Sequence, residues 1–278
     1  MSDLSIPVSH ADFHAGGGVS SSPHSASWET ASNQQINTAP EHIPAHKKTA
    51  AIVLAGGSGK RMNSSVKKQY MLLNNIPLLC HSLAAFEQCP KISEIVLVTS
   101  AGEESYFKKE IVDTYGFSKV TRIVCGGAER YHSVANGLFC LSDPDFVLIH
   151  DGARPFVTAE ILDRIFSALA DHPAVVVGMP VKDTIKVLDS YGFVVSTPNR
   201  DTLWQIQTPQ SFQFSLIREA YQALLEYEKT NPVSITDDAS VLEQFTRVPV
   251  KIIKGSYQNI KITTPEDLFL AEQIFHAD

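Results

Sequence analysis

Three stretches of the chain carry residues able to do phosphate chemistry. The first reads LAGGSGKRM, Leu54 to Met62, with Lys67 and Lys68 shortly after it. Glycines at such a turn let the backbone approach a ligand closely and aim N–H groups at phosphate oxygens. The spacing fits neither standard phosphate loop. A dinucleotide fingerprint that uses Gly57 and Gly59 would need glycine at Met62. A P-loop ending at Gly59 and Lys60 would need glycine at Leu54 and Ser or Thr at Arg61. The loop delivers instead Lys60, Arg61, Lys67 and Lys68 within twelve residues of Gly57. That cation supply suits a nucleoside triphosphate, with an ordinary strand-to-helix turn carrying exposed lysines as the plain alternative. The second stretch is HDGARPF, His150 to Phe156. Asp151 could hold Mg²⁺, which prefers carboxylate, phosphate and water oxygens, and Arg154 could grip a phosphate bidentately. Equally, Asp151 could cap the following turn and Arg154 could pair with it. The third is NIKITTPEDL, which places Lys261 at a strand end, where a lone lysine is usually surface.

These residues need a scaffold that brings them to one edge. AAIVLA (50–55), EIVLVTS (94–100), VTRIVCGG (120–127), FVLIHD (146–151) and AVVVGMP (174–180) are apolar runs of the kind that form buried parallel strands. Between them lie helical segments at 77–89, 103–116, 130–142 and 158–171, the last with a Thr158 cap. The alternation predicts an α/β fold, a three-layer mostly parallel sheet with helices on both faces and ligands at the carboxyl ends of the strands. After Pro180 the rhythm breaks. TIKVL (184–188), a DSYG turn and FVVST (193–197) predict a hairpin, with TLWQIQ (202–207) as a third piece. We read this as a projecting dimerisation arm over about 181–207, with a simple edge hairpin on the monomer as its alternative. A long helix at 214–229, a segment 233–245, a strand 250–255 and a strand at 259 running into a Pro-started helix complete the chain.

Composition bounds the function. The chain has 278 residues and a net charge of −7, so a phosphate site must be a local cationic cluster and a histone-like polyphosphate binder is excluded. No apolar run reaches the length of a membrane span. Neither nucleic acid nor membrane is expected as a partner. Cys80, Cys89, Cys125 and Cys140 lack C-x-x-C spacing, which points away from zinc or disulfides and toward a reducing compartment. Residues 1–47 are rich in Ser, Ala, Gly, His and Asn with no apolar period, and read as a disordered low-complexity tail before a domain spanning 48–278. The tail lacks Arg and carries Asp3, Asp12, Glu29 and Glu41, unlike a transit peptide. A cytoplasmic setting follows, and a plastid stroma would require an atypical leader.

Seven ordered motifs together resemble one family. AGGSGKRM…KKQY, GGAERYHSV, HDGARPF, VKDTIK, NRDTLWQIQTPQSF, TDDASVLE and NIKITTPEDL are similar, from residue 49 to about 275, to the 2-C-methyl-D-erythritol 4-phosphate cytidylyltransferases. The resemblance implies a Rossmann-like, GT-A-like nucleotidyltransferase fold, with CTP and methylerythritol phosphate as substrates, Mg²⁺ as cofactor and a homodimer joined through the β-arm. By the family pattern Arg61, Lys68 and Lys261 are the catalytic cations. Ala55, Gly56, Gly57, Gly59, Gly127, Ser133, Asp151 and Gly152 match the nucleotide site, with Asp151 the metal-linked carboxylate. Arg154, Thr184, Arg200, Thr208 and Thr236 match the acceptor site, part of which the resemblance assigns to the neighbouring subunit's arm. Two departures stand out: Lys67 replaces the Pro of a PKQ run, and Ala128 replaces an acidic residue in a GGDER-like run. Neither removes a proposed catalytic group. Ribitol 5-phosphate cytidylyltransferase is the nearest rival, and DTIK, NRDTLW and TDDA favour the methylerythritol enzyme. A catalytically silent nucleotide sensor would have no need of Arg61, Lys68, Lys261 and Asp151.

Overall fold

The computed structural model describes residues 47–56 and 71–277. Residues 1–46 of the proposed tail and the residues Gly57, Gly59, Lys60, Arg61, Lys67 and Lys68 lie outside them. In chain order the strands are β1 (Thr49–Leu54), β2 (Leu72–Leu73), β3 (Ile76–Pro77), β4 (Glu94–Thr99), β5 (Val120–Cys125), β6 (Phe146–Asp151), β7 (Ala174–Pro180), β8 (Val187–Leu188), β9 (Val194–Ser196), β10 (Trp204–Gln213) and β11 (Lys251–Lys254). The helices are α1 (Leu78–Gln88), α2 (Glu104–Tyr106) running into a π-helical stretch Phe107–Asp113, α3 (Arg130–Phe139), α4 (Ala159–Leu169), α5 (Phe214–Tyr227), α6 (Asp238–Phe245) and α7 (Pro265–Ala277).

Seven strands form the main sheet in the order β11-β7-β10-β6-β1-β4-β5. Only β10 runs antiparallel, to β6 and β7 alike, and every other neighbouring pair is parallel. The carboxyl ends of six strands therefore share one edge, as the sequence predicts. Residues Ala50 to Val53 of β1 are fully buried because both faces of the sheet are covered. Ala51 and Val53 pack with Leu79, Leu83, Phe107 and Ile165 on one side, whereas Ala50 and Ile52 pack with Val134, Leu138, Ile217 and Leu242 on the other. Thr158 caps α4, its Oγ1 accepting from Ile161 N–H at 3.3 Å. The predicted helix at 103–116 is π-helical over Phe107–Asp113, a widened turn that sets Phe107, Ile111 and Val112 against the core. It ends near Gly116, whose φ of +70° suits glycine.

Two expectations are corrected. Trp204–Gln207 is not a third piece of the arm: it opens β10, pairing Trp204, Gln205 and Ile206 with Pro180, Met179 and Gly178 of β7. The separate two-stranded sheet is β8 with β9 alone, closed by a turn in which Asp189 Oδ1 accepts from Tyr191 and Phe193 N–H. Residues 259–263 are loop rather than strand: Asn259 bonds through its side chain to Thr208 O of β10 and through its carbonyl to the Arg154 guanidinium, instead of joining a ladder. A short hairpin, β2–β3, was not foreseen; Asn74 and Asn75 turn it at φ 50° and 62°, values Asn tolerates better than most residues. All four cysteines are free thiols, and no described helix is long and apolar enough to cross a membrane.

Candidate functional site

Asp151 is the last residue of β6 and the hub of the strand-end edge. Lys261 Nζ lies 2.7 Å from its Oδ2, Arg130 Nε 3.4 Å from its Oδ1 and Arg154 Nε 3.8 Å from Oδ2. Burial alone would raise this carboxyl, but the charges of Arg130, Lys261 and Arg154 outweigh it and hold Asp151 well below the usual carboxylate range. Burial lowers Arg154, with Asp151 opposing the shift. Arg130 goes the other way: Asp238 and Asp151 outweigh the opposing effect of burial.

Behind Asp151 stands a buried relay. His150 Nε2 lies 3.1 Å from the Arg154 carbonyl, which only accepts, so Nε2 carries the proton. Nδ1 then accepts from the Thr208 hydroxyl at 3.1 Å, and the Thr208 oxygen accepts Asp151 N–H at 3.1 Å. Burial pushes His150 down to about 4, so the ring is neutral. The relay ties β6 to β10 just where both reach the ligand edge.

The loop bearing Lys261 is fastened to the same place. Gln207 Nε2 donates to Ser256 O at 2.7 Å, and Asn259 Nδ2 donates to Thr208 O at 3.0 Å. Arg154 Nη1 donates to Asn259 O at 2.8 Å, and Ile262 N–H to Ala153 O at 2.9 Å. Gly255 admits this close approach: a Cβ there would lie 2.5 Å from Val177 Cγ1. Together these elements wall a cleft of about 360 Å³, lined by Asp151, Arg154, Thr208, Thr236 and Lys261, and also by Arg130, Ile206, Gln207, Gln210 and Asp237. Its size suits a small ligand, and its lining suits an anionic, hydroxylated one.

A family model described as IspD, 2-C-methyl-D-erythritol 4-phosphate cytidylyltransferase, matches residues 49–277. The chain belongs to this family. A cytidylyltransferase of Lachnoclostridium phytofermentans is 49% identical over 228 residues, covering 82% of this chain and 96% of the relative. That of Alkaliphilus oremlandii is 48% identical over 228 residues, 82% of this chain and 94% of the relative. Among solved structures, 4-diphosphocytidyl-2C-methyl-D-erythritol synthase from Anaerococcus prevotii aligns with a TM-score of 0.72 at 34% identity, covering 83% of this chain and 97% of that one. The cytidylyltransferase from Thermus thermophilus aligns with a TM-score of 0.65 at 28% identity, over 81% and 98%. The mostly parallel α/β sheet is the fold of these cytidylyltransferases.

Of the residues the cytidylyltransferase resemblance singles out, Asp151, Arg154, Thr208, Thr236 and Lys261 converge on the cleft. Ala55, Gly56 and Gly152 line a smaller space of about 40 Å³ beside it. Gly152 is required by packing, since a Cβ would lie 2.6 Å from Leu79 Cδ1 and 2.9 Å from Leu54 O. Gly127 follows the end of β5 and Ser133 lies in the first turn of α3, where its Oγ accepts Gly127 N–H at 3.0 Å. A Cβ on Gly127 would lie 2.3 Å from His132 Cβ. Thr184 and Arg200 do not line the cleft of their own chain: both are exposed, and Arg200 Nη1 donates to Lys182 O at 3.1 Å. Sequence reasoning passed over Arg130, Gln207, Gln210 and Asp237. All four stood in quoted motifs, Arg130 in GGAER, Gln207 and Gln210 in NRDTLWQIQTPQSF and Asp237 in TDDAS, but nothing in their spacing showed that they face one cavity.

Proposed function

We propose that the protein transfers the cytidylyl group of CTP to 2-C-methyl-D-erythritol 4-phosphate, giving 4-diphosphocytidyl-2-C-methyl-D-erythritol and pyrophosphate, in isoprenoid precursor synthesis. The observation that carries this is the Asp151 carboxylate ringed by Lys261, Arg130 and Arg154 at a cleft of about 360 Å³, in a chain of this family. A phosphate oxygen of the acceptor attacks the α-phosphorus in line, a new P–O bond forms, and pyrophosphate leaves with the electron pair of the broken one. Two anions must meet, so positioning and charge neutralisation are what the protein has to supply.

Arg61, Lys68 and Lys261 are the cations assigned to the developing charge. The backbone of Ala55, Gly56, Gly57 and Gly59 cradles the triphosphate, and Gly127, Ser133 and Gly152 line the base and ribose. Arg154, Thr208 and Thr236 face the acceptor, joined by Thr184 and Arg200. The Thr208 proton is committed to His150, so this hydroxyl can only accept from a substrate group. Asp151 is the residue that would hold Mg²⁺. No described group of three His, Cys, Asp or Glu could hold a metal by itself, which fits an ion shared between one carboxylate and substrate phosphates. Once bound, it would neutralise phosphate charge.

The arm supports a homodimer. Tyr191, Phe193 and Val195 are 85%, 71% and 65% exposed, an apolar surface that a partner arm would cover. In that dimer Thr184 and Arg200 reach the neighbouring cleft. The unpaired cysteines and the CTP substrate fit the cytoplasm. Pyrophosphate release tests the reaction. With CTP and Mg²⁺, release is expected with methylerythritol phosphate and not with ribitol 5-phosphate; the reverse preference would transfer the protein to the rival activity.

A further inference from the structure

Arg130 joins three parts of the cleft that are far apart in the chain. It is the first residue of α3, immediately after the turn carrying Gly127. Its Nη1 and Nη2 donate to Asp238 Oδ1 and Oδ2 at 2.9 and 2.8 Å, a parallel fork across 108 residues of sequence. Its Nε faces Asp151 Oδ1 at 3.4 Å. Asp238 is fully buried and also accepts from the Tyr221 hydroxyl at 2.6 Å. Asp238 opens α6, and Asp237 before it caps that helix, accepting Ser240 N–H at 2.9 Å, while Gln210 Nε2 donates to its other oxygen at 2.9 Å. Thr236 precedes both on the cleft wall.

A buried ion pair is a poor source of stability, because apolar residues of similar volume serve as well. Its strength is geometric. A planar guanidinium that engages both oxygens of one carboxylate has its plane fixed, and a lysine cannot reproduce the fork. With the plane fixed, the direction of Nε toward Asp151 is fixed too.

We propose that Arg130 is a positioning residue for the transfer. It holds the Asp151 carboxylate, on the nucleotide side, and the Thr236–Asp238 segment, on the acceptor side, in one mutual geometry. It touches neither reacting atom and acts through Asp151 and Asp238. The proposal rests on the cytidylyltransferase reading, and its test separates the two.

The test compares the wild type with Arg130→Lys and Asp238→Asn, each shown to be folded by a cooperative unfolding transition, in steady-state assays that vary CTP and methylerythritol phosphate separately. Arg130→Lys keeps the charge and loses the fork. It is expected to lower kcat/KM at least about tenfold for both substrates. Asp238→Asn breaks the same fork from its other end and so frees the Nε aimed at Asp151; it is expected to lower kcat/KM at least about fivefold for both substrates. A merely structural arginine would reduce the fraction of active enzyme and leave both KM values alone. An unchanged kcat/KM in folded Arg130→Lys, or a loss that disappears after active-site titration, overturns the proposal. Should Arg130→Lys not fold, Asp238→Asn decides alone: an unchanged kcat/KM for both substrates, or a loss that disappears after active-site titration, overturns it. A wild type that releases no pyrophosphate from CTP and methylerythritol phosphate overturns the parent reading and this one with it.

Discussion

Lys261 Nζ sits 2.7 Å from Asp151 Oδ2, so the loop after β11 and the end of β6 are joined by a charged hydrogen bond at the mouth of the cleft. Lys261 is more than a third exposed while Asp151 is nearly buried, which leaves the ammonium free to turn toward an incoming phosphate. Lys261→Ala is expected to lower kcat at least tenfold, about 1.4 kcal/mol or more of barrier, as are Arg61→Ala and Lys68→Ala. Near wild-type turnover in all three variants would remove the charge-neutralisation assignment.

Thr208 joins His150 to the backbone of Asp151. Thr208→Val keeps the shape and removes the hydroxyl, leaving His150 Nδ1 and Asp151 N–H buried without a partner. Such orphaned groups cost roughly 1–3 kcal/mol each. Denaturant unfolding should show a lower midpoint with an unchanged slope, and Thr208→Ser should recover most of the loss. A valine variant as stable as the wild type would mean the relay does not tie the strands together.

His150 gives stability a pH signature. Its folded value is about 4 against an ordinary 6.5, so between these pH values the unfolded chain takes up a proton that the folded chain refuses. The sign follows: this contribution is complete above 6.5, falls as pH drops toward 4, and changes no further below. It amounts to roughly 3 kcal/mol. Asp151, held low by its cations, adds stability present above the unfolded carboxyl range and lost at still lower pH, so the two windows separate. In metal-free buffer, unfolding free energy should slope upward from about pH 4.5 to 6.5, and His150→Gln should flatten that slope. A slope unaltered by the substitution would show that His150 is protonated in the fold.

Sharing of sites between subunits can be tested by complementation. Thr184 and Arg200 lie outside the cleft of their own chain, on the side of the exposed arm. Mixing inactive Lys68→Ala with inactive Arg200→Ala subunits should restore activity, because one site in the mixed dimer has both groups. Demonstrated heterodimers without recovery would place Arg200 in its own subunit's site.

The legible parts of the fold were those where burial on both faces writes a continuous apolar run. FVLIHD and AVVVGMP became β6 and β7 residue for residue. The same rule hid β10, a central strand that carries Gln205, Gln207 and Gln210. Gln207 and Gln210 are buried because Ser256, Asp237 and Ala239 satisfy them, partners that no local pattern announces. The site divides in the same way. Asp151, Arg154 and Lys261 were visible as charges at strand ends. Arg130 stood in a quoted motif, but its meaning depends on carboxylates 21 and 108 residues away. His150 read as one more strand residue until the carbonyl of Arg154 and the hydroxyl of Thr208 fixed its proton.

The most direct measurement follows the α-phosphorus. CTP labelled at that atom is incubated with the protein, Mg²⁺ and 2-C-methyl-D-erythritol 4-phosphate, and the products are separated. The label is expected in the cytidine diphospho-alcohol, with one unlabelled pyrophosphate released per product and no CMP. Label recovered as CMP, or left in CTP while the protein is folded and binds the nucleotide, would contradict cytidylyl transfer to this acceptor.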